Sequence, residues 1–245
     1  MMRVAGHLVL FIFLTLLTQL GGLAWVIALR FRRTLLAFLL AYAALWAAAY
    51  TFSPRTPIPC FGEPLRMQSV LYCAMNRHYV TPELASVAQD AATRMASAHP
   101  GTITLALDGS FPFLNGMPLI PHLSHDDGEK LDLAFYYTTP DGTYLPGKTR
   151  SPLGYFAFEM TPPEECPQNT VTLRWNLGWL QPLWPDRPLD ALRTTALIRT
   201  LAADPRVAKV FVEPPLASTL GLSDPKIRFQ GCRAARHDDH IHFQL

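Results

Sequence analysis

Two long apolar runs without charge restrict what the N-terminal part of this chain can fold into. Residues Leu8 to Leu29 and residues Leu35 to Phe52 contain no Asp, Glu, Lys or Arg. Each run is about as long as the ~17 to 25 residues that cross a bilayer as a helix. We therefore predict a transmembrane helical hairpin over residues 1–52, with the lipid bilayer as its partner, followed by one domain over residues 53–245.

The charges between the two runs predict the orientation of the hairpin. Arg30, Arg32 and Arg33 lie in the short connection, and positively charged loops tend to stay in the cytoplasm. Both ends of the hairpin would then lie outside, which predicts an inner (cell) membrane protein with its domain on the periplasmic side. A cleaved signal peptide is the alternative, but its apolar core would be ~7 to 15 residues long and no second span would follow.

The net charge of the domain over residues 53–245 limits the partners that it can bind. All 19 acidic residues lie after Phe52, whereas four of the 21 basic residues lie before it, so the domain carries 17 basic and 19 acidic side chains, a net charge of −2. A domain with a net charge so close to zero lacks the positive electrostatic potential that binds nucleic acid. We therefore expect no nucleic-acid partner.

The four cysteines predict disulfide bonds in an oxidising compartment. None of them forms a Cys-x-x-Cys pair, which argues against a zinc knuckle or a thioredoxin-type motif. Three connectivities remain open. The most local one joins Cys60 to Cys73 and Cys166 to Cys232.

Periodicity and capping signals predict a mixed domain. Helices are expected over residues 82–98 and 189–203, and strands over residues 102–107, 131–137, 207–213 and 240–245. Residues 138–168 are rich in Pro, Gly and Thr and predict a hairpin or a long covering loop. The expected fold is α+β, with a central antiparallel sheet flanked by helices.

Five of the eight histidines fall in two short acid-rich clusters, one around residues 122–132 and one at residues 237–242. Imidazole and carboxylate groups are zinc ligands, and a catalytic zinc takes three protein ligands with a further position left for water. Asp132 alternates with apolar neighbours in its strand, and so do His240 and His242. This pattern predicts two strands with one apolar face each, and a metal groove on the open side of the sheet.

The clusters contain the motifs Ser124-His125-x-x-Gly128-x-x-x-Asp132, preceded by His122, and His237-Asp-Asp-His240-x-His242. The sequence resembles the peptidoglycan-cleaving zinc peptidases of the LAS group, and most of all the penicillin-insensitive murein endopeptidase branch. The resemblance implies that His125, Asp132 and His242 hold Zn²⁺ and that His122 can also contact the metal. It implies that His240 or His237 acts as the catalytic base.

The acidic residues beside these histidines predict supporting roles. Asp238 and Asp239 would accept a proton from a ring nitrogen and fix its orientation. Asp239 also stands where the carboxypeptidase branch has a longer acidic base, and residues 102–121 contain no Arg or Lys that would serve as that branch's oxyanion-stabilising arginine. Both departures argue against a D-Ala-D-Ala carboxypeptidase or dipeptidase.

The predicted function is that of a membrane-anchored zinc metallopeptidase that cleaves the peptide cross-links of peptidoglycan. Two alternatives stay open: a non-catalytic zinc-containing module that binds muropeptides, and a membrane scaffold with incidental histidines. Among the remaining candidates, surface or core positions are expected for His78 and His99. Packing is the favoured role of three tryptophans, Trp175, Trp179 and Trp184.

Overall fold

A computed structural model describes residues 2–159, 166, 173–175 and 177–245 of the chain. Its N-terminal part consists of three apolar helices, α1 (Met2–Thr18), α2 (Gly21–Ala28) and α3 (Thr34–Phe52). Within the described ranges, α3 is the one helix that is both long and apolar enough to cross a membrane. The second apolar run of the sequence therefore forms the single continuous helix that was predicted.

The first apolar run differs from the prediction, because it is divided into α1 and α2 instead of forming one span. The chain turns at Gln19, which adopts a φ of +65°. The Thr18 hydroxyl accepts a hydrogen bond from the Gly21 amide over 2.8 Å. A Cβ atom at Gly22 would lie 1.9 Å from Thr15 Oγ1, so only glycine allows α2 to pack this closely on α1. Average hydropathy does not detect such a turn, since the run is apolar on both sides of it.

The domain after α3 contains a small two-stranded sheet and a six-stranded sheet. The strands are β1 (Thr56–Pro57), β2 (Leu65–Met67), β3 (Tyr79–Val80), β4 (Thr104–Ala106), β5 (Lys130–Ala134), β6 (Lys209–Phe211), β7 (Ile227–Arg228) and β8 (His240–Gln244). The order in the larger sheet is β2-β4-β5-β8-β6-β7. Its four central strands pair antiparallel, as predicted, whereas the edge strands β2 and β7 pair parallel with their neighbours.

The helices of the domain are α4 (Val70–Ala74), α5 (Pro82–Ala98), α6 (Ala191–Ala203) and α7 (Pro214–Thr219), with a 3₁₀ helix at Gly178–Leu183. α5 has the predicted bounds. Thr81 caps its first turn by accepting from the Leu84 amide, and Pro82 occupies the first position, where no amide hydrogen is needed. The strand predicted over residues 207–213 is shorter in the structure, since β6 ends at Phe211, and the following Pro214 and Pro215 begin α7.

The two central strands carry the predicted site residues on a shared face. β5 and β8 pair so that Asp132 lies opposite His242 and Ala134 lies opposite His240. The alternating residues of the other face, among them Leu133 and Ile241, are buried in the core with residues of α5 and α6. The sequence predicted that the face with the histidines is open, but in the structure this face is covered. Asp132, His240 and His242 are each at most 2% exposed.

The loop predicted over residues 138–168 supplies part of this cover. Within it, Thr138 pairs with Tyr144 in an isolated bridge, and residues 153–158 have no strand structure. Residues 160–165 and 167–168 of the predicted loop lie outside the described residues. The two disulfide bonds join Cys60 to Cys73 and Cys166 to Cys232, which confirms the most local connectivity.

Candidate metal centre

Three of the predicted ligands converge on one point. Asp132 Oδ1 lies 2.9 Å from His242 Nδ1 and 3.3 Å from His125 Nε2. The two ring nitrogens are themselves 3.1 Å apart. β5 and β8 supply two of these side chains from neighbouring positions of the sheet, and the loop before β5 supplies His125.

These separations fit a tetrahedrally coordinated zinc ion. Zinc bonds of about 2.0 to 2.2 Å place neighbouring ligand atoms about 3.3 Å apart in a tetrahedron. The donor set, with two imidazoles and one carboxylate, is also one that zinc accepts. In a second grouping, His122 joins His125 and Asp132, with all ligand atoms within 4.8 Å of one another. In the first grouping every separation is 3.3 Å or less.

A hydrogen bond at the ring nitrogen that faces away from Asp132 fixes the orientation of His125. His125 Nδ1 lies 2.9 Å from the Gly109 carbonyl oxygen. A carbonyl accepts but does not donate, so the proton of the imidazole belongs on Nδ1 and the lone pair belongs on Nε2, which faces Asp132. His125 is 1% exposed, so water does not compete for this hydrogen bond.

The second oxygen of Asp132 is held by groups on the other side of the site. Asp132 Oδ2 accepts from the Tyr155 hydroxyl over 2.8 Å and lies 3.1 Å from His122 Nδ1. The same His122 nitrogen lies 3.1 Å from Asp108 Oδ2. Asp108 in turn forms a bidentate ion pair with Arg77, with distances of 2.6 and 2.8 Å. His122 therefore bridges two carboxylates beside the group of His125, Asp132 and His242.

Burial and charge set the protonation of these groups. Burial alone would raise the pKa of Asp132, but the imidazoles of His125, His240 and His122 outweigh it and hold the pKa well below its usual range. Burial alone would lower the pKa of His122, but Asp132 and Asp108 outweigh it and raise the pKa to about 10. Burial lowers the pKa of His242 to about 4, although Asp132 opposes the change. A neutral His242 ring keeps the lone pair that a metal requires.

The orienting role predicted for Asp239 is consistent with the geometry. Asp239 Oδ1 lies 2.5 Å from His240 Nδ1, and its other oxygen accepts from the Phe156 amide over 2.5 Å. The opposite ring nitrogen, His240 Nε2, lies 3.7 Å from Asp132 Oδ2. Burial alone would lower the pKa of His240, but the carboxylates of Asp132 and Asp239 outweigh this effect and hold the pKa above its usual value. His240 therefore presents Nε2 toward the candidate ligands.

Asp238 does not take the orienting role that was predicted for it. Its carboxylate accepts from Arg236 Nε over 2.9 Å and from Arg236 Nη2 over 2.5 Å. His237, one residue earlier, does lie in the site, since its ring centroid is 4.9 Å from that of His240 and 5.4 Å from that of His242. His237 Nδ1 is buried without a hydrogen-bond partner among the residues that the structure describes. Burial and then the neighbouring rings of His240 and His242 lower its pKa well below the usual value.

The candidate ligands line a pocket of about 220 Å³. His122, His125, Asp132, His237, His240 and His242 all contribute to its wall. A smaller pocket shares His122 and His240 and continues toward Phe156, Phe158 and Trp175. Trp175 is 48% exposed, so at least this tryptophan offers an accessible aromatic surface beside the site, where packing had been favoured.

Arg55 of the linker after α3 holds the loop that carries His122 and His125. Its guanidinium donates to Ser110 Oγ over 2.9 Å and to the Asp126 carbonyl over 3.3 Å, and it also bonds the Phe111 carbonyl and Asn115. Gly128, the glycine of the first motif, lies against this arginine. It adopts a φ of +88°, and a Cβ atom there would lie 2.8 Å from Arg55 Nε.

We expect Gly128→Ala to destabilise the protein more than Gly142→Ala. Both glycines have a φ of +88°, but a Cβ atom at Gly142 would meet nothing within 4 Å. Both variants carry the cost of about 1 to 2 kcal/mol for an L-residue in a left-handed conformation, and Gly128→Ala adds an overpacking cost of about 1 to 3 kcal/mol. Thermal unfolding of the two variants in the same detergent measures the difference. Equal melting temperatures would mean that the contact with Arg55 is relieved without cost.

Sequence reasoning missed three residues of this network, namely Arg77, Asp108 and Tyr155. Asp108 directly follows the strand predicted over residues 102–107, and this position at a strand end was a usable signal. Its backbone carbonyl accepts from the Asp132 amide over 2.9 Å. Nothing in the spacing of Arg77 or Tyr155 pointed to the site, because tertiary packing alone brings them there.

A second group of metal-binding residue types, Cys60, Cys73 and His78, does not form a metal site. Its two sulfur atoms are joined in a disulfide bond, so neither is a thiolate. His78 is fully buried, and burial lowers its pKa to about 4. It is a neutral core histidine, one of the two roles expected from the sequence.

Comparison of the chain with protein-family models and with curated protein sequences finds no match.

Proposed function

We propose that this protein is a membrane-anchored zinc peptidase that hydrolyses the peptide cross-links of peptidoglycan. The observation that carries the proposal is the convergence of His125 Nε2, Asp132 Oδ1 and His242 Nδ1, with separations of 2.9 to 3.3 Å. The two motifs that supply these residues are far apart in sequence, and their likeness to the murein endopeptidase branch supplies the substrate class.

The remaining residues of the site support a hydrolytic mechanism. Bound zinc would polarise the scissile carbonyl and acidify a water molecule. Hydrolysis adds water across the peptide bond, which breaks the C–N bond and leaves a carboxylate and an amine. His240 Nε2 can take a proton from the attacking water and deliver it to the leaving amine, while Asp239 holds the other ring nitrogen. Tyr155 and His125 keep Asp132 in its position through contacts with both of its oxygens.

The proposal is tested with the full-length protein purified in detergent. We expect one zinc per chain by elemental analysis, and new uncross-linked muropeptides in the mass spectrum of purified sacculi after digestion. A chelator should stop the release, and so should Asp132→Asn, which removes the negative charge at nearly constant volume. Stoichiometric zinc with uncleaved sacculi would instead support the muropeptide-binding module, and absence of bound metal would support the scaffold.

The proposed location is the cell membrane, with the domain on the extracytoplasmic side. Two disulfide bonds support an oxidising compartment. The arginines between α2 and α3 support a cytoplasmic position for that connection. We expect alkaline phosphatase fused after Leu245 to be active in cells, since this enzyme folds only where disulfides form. An inactive fusion, paired with an active cytoplasmic reporter at the same position, would reverse the topology.

A further inference from the structure

The domain contacts α3 at residues that lie well before the C-terminal end of that helix. The Tyr42 hydroxyl donates to the Ala74 carbonyl over 2.6 Å, and Trp46 Nε1 donates to the Cys73 carbonyl over 2.9 Å. Both acceptors belong to the last turn of α4. Tyr42 and Trp46 precede Phe52, the last residue of α3, by ten and six positions, which corresponds to about 15 and 9 Å along the helix axis. α4 therefore lies beside the middle and outer half of α3, not above it.

The length of α3 leaves little room for this contact outside a bilayer. Its 19 residues span about 28 Å, close to the hydrocarbon thickness of about 30 Å. If α3 crosses the membrane, nearly all of it lies in hydrocarbon. A segment that contacts α3 at Tyr42 and Trp46 then lies within the outer leaflet.

The surface around α4 suits that environment. Residues 56–62 and 67–76 contain no charged side chain. Phe61 is 73% exposed, Val70 is 54% exposed and Leu71 is 49% exposed. Between this surface and α3 lies an apolar groove of about 640 Å³, lined by Leu39, Trp46, Tyr50, Phe61 and Val70 among others. Exposed apolar surface of this extent is typical of interaction sites.

The backbone at this position also meets the requirement of a bilayer. A carbonyl in hydrocarbon costs several kcal/mol unless it accepts a hydrogen bond. At the end of α4, the Ala74 carbonyl accepts from Tyr42, and the Cys73 carbonyl accepts from both Trp46 and the Asn76 backbone amide. Asn76 then donates to the Thr18 carbonyl over 3.1 Å, at the end of α1. The Asn76 side-chain amide and the two carbonyls at the end of α4 are thus bonded to α1 and α3.

We propose that the domain itself is seated in the outer leaflet, with α4 and the loop around Phe61 immersed in lipid hydrocarbon and an acyl chain in the groove beside α3. This inference rests on the proposed location, in which α3 crosses the membrane, and goes beyond it, because a simple anchor would leave the domain in water. The disulfide between Cys60 and Cys73 closes the immersed segment into a compact unit.

Spin labels on single introduced cysteines test the proposal. All four native cysteines are in disulfide bonds, so a new cysteine is the only free thiol. Phe61→Cys and Val70→Cys are compared with two controls in full-length protein in phosphatidylcholine vesicles. Leu40→Cys lies on α3 at a side chain that is 64% exposed, and Leu192→Cys lies on α6 at one that is 69% exposed.

We expect the labels at positions 61 and 70 to resemble the one at position 40. Their collision rate with oxygen should be high and that with a water-soluble nickel chelate low, with a ratio several-fold above that at position 192. If positions 61 and 70 match position 192 while position 40 reports lipid, the domain stands clear of the bilayer and the anchor remains intact. If position 40 also reports water, both the immersion and the membrane anchor are wrong, whereas the zinc site and its peptidase activity are tested separately by metal content and by cleavage of sacculi.

Discussion

His242→Ala should lose nearly all bound zinc and, with it, the release of muropeptides from sacculi. His242 Nδ1 lies within 3.1 Å of both other candidate donor atoms, so its removal leaves two ligands where a catalytic zinc site requires three. Loss of an outer-shell partner alone weakens metal binding by about 10- to 100-fold, and loss of a ligand should exceed that range. Elemental analysis after dialysis against a weak chelator measures the effect.

Two companion variants make this expectation specific. His99→Ala removes a histidine that lies at the end of α5, outside the site, and should retain full zinc. His122→Ala should retain more zinc than His242→Ala, because His122 Nδ1 lies between two carboxylates, 3.1 Å from Asp108 Oδ2 and 3.1 Å from Asp132 Oδ2. If His242→Ala binds zinc with unchanged affinity, while His122→Ala loses it, the group of His122, His125 and Asp132 holds the metal instead.

The central part of the candidate site could be predicted because a strand has a fixed side-chain period. Alternation placed Asp132 on one face of its strand and His240 with His242 on one face of another. Pairing of β5 with β8 then brings these faces together at one level of the sheet. Local signals were equally informative for α5, where the Thr81 cap and Pro82 fix the start of the helix.

Features that depend on three-dimensional packing could not be predicted in this way. The turn at Gln19 is supported by contacts far away in sequence, since its amide group bonds the Phe113 amide and approaches Met117 Sδ. Tyr155 reaches Asp132 from a loop that has no regular period. Asp238 and Asp239 are adjacent and chemically identical, yet only the backbone conformation decides that one faces His240 and the other faces Arg236.

His240→Ala should leave zinc bound while lowering turnover by roughly the 10² to 10⁴ expected when a general base is lost. Its Nε2 faces Asp132, and its Nδ1 is bonded to Asp239, so one nitrogen is free to exchange a proton while the other is fixed. His237 lies in the same pocket but has no carboxylate on its buried Nδ1 among the described residues, and its pKa lies well below the usual value. We therefore expect a smaller loss of turnover in His237→Ala.

The Asp239→Asn variant distinguishes two possible roles of His240, that of a general base and that of a residue that only shapes the pocket. Asparagine keeps the size of the side chain but removes the charge that raises the pKa of His240 and fixes its ring. If His240 is the base, this variant should bind zinc normally. Its turnover should be slower than that of the parent protein and faster than that of His240→Ala. The acidic limb of its pH–rate profile should be displaced to lower pH, because the pKa of His240 in the folded protein falls. Near-normal turnover in His240→Ala, combined with loss of turnover in His237→Ala, would assign the base to His237 while leaving the metal site as proposed.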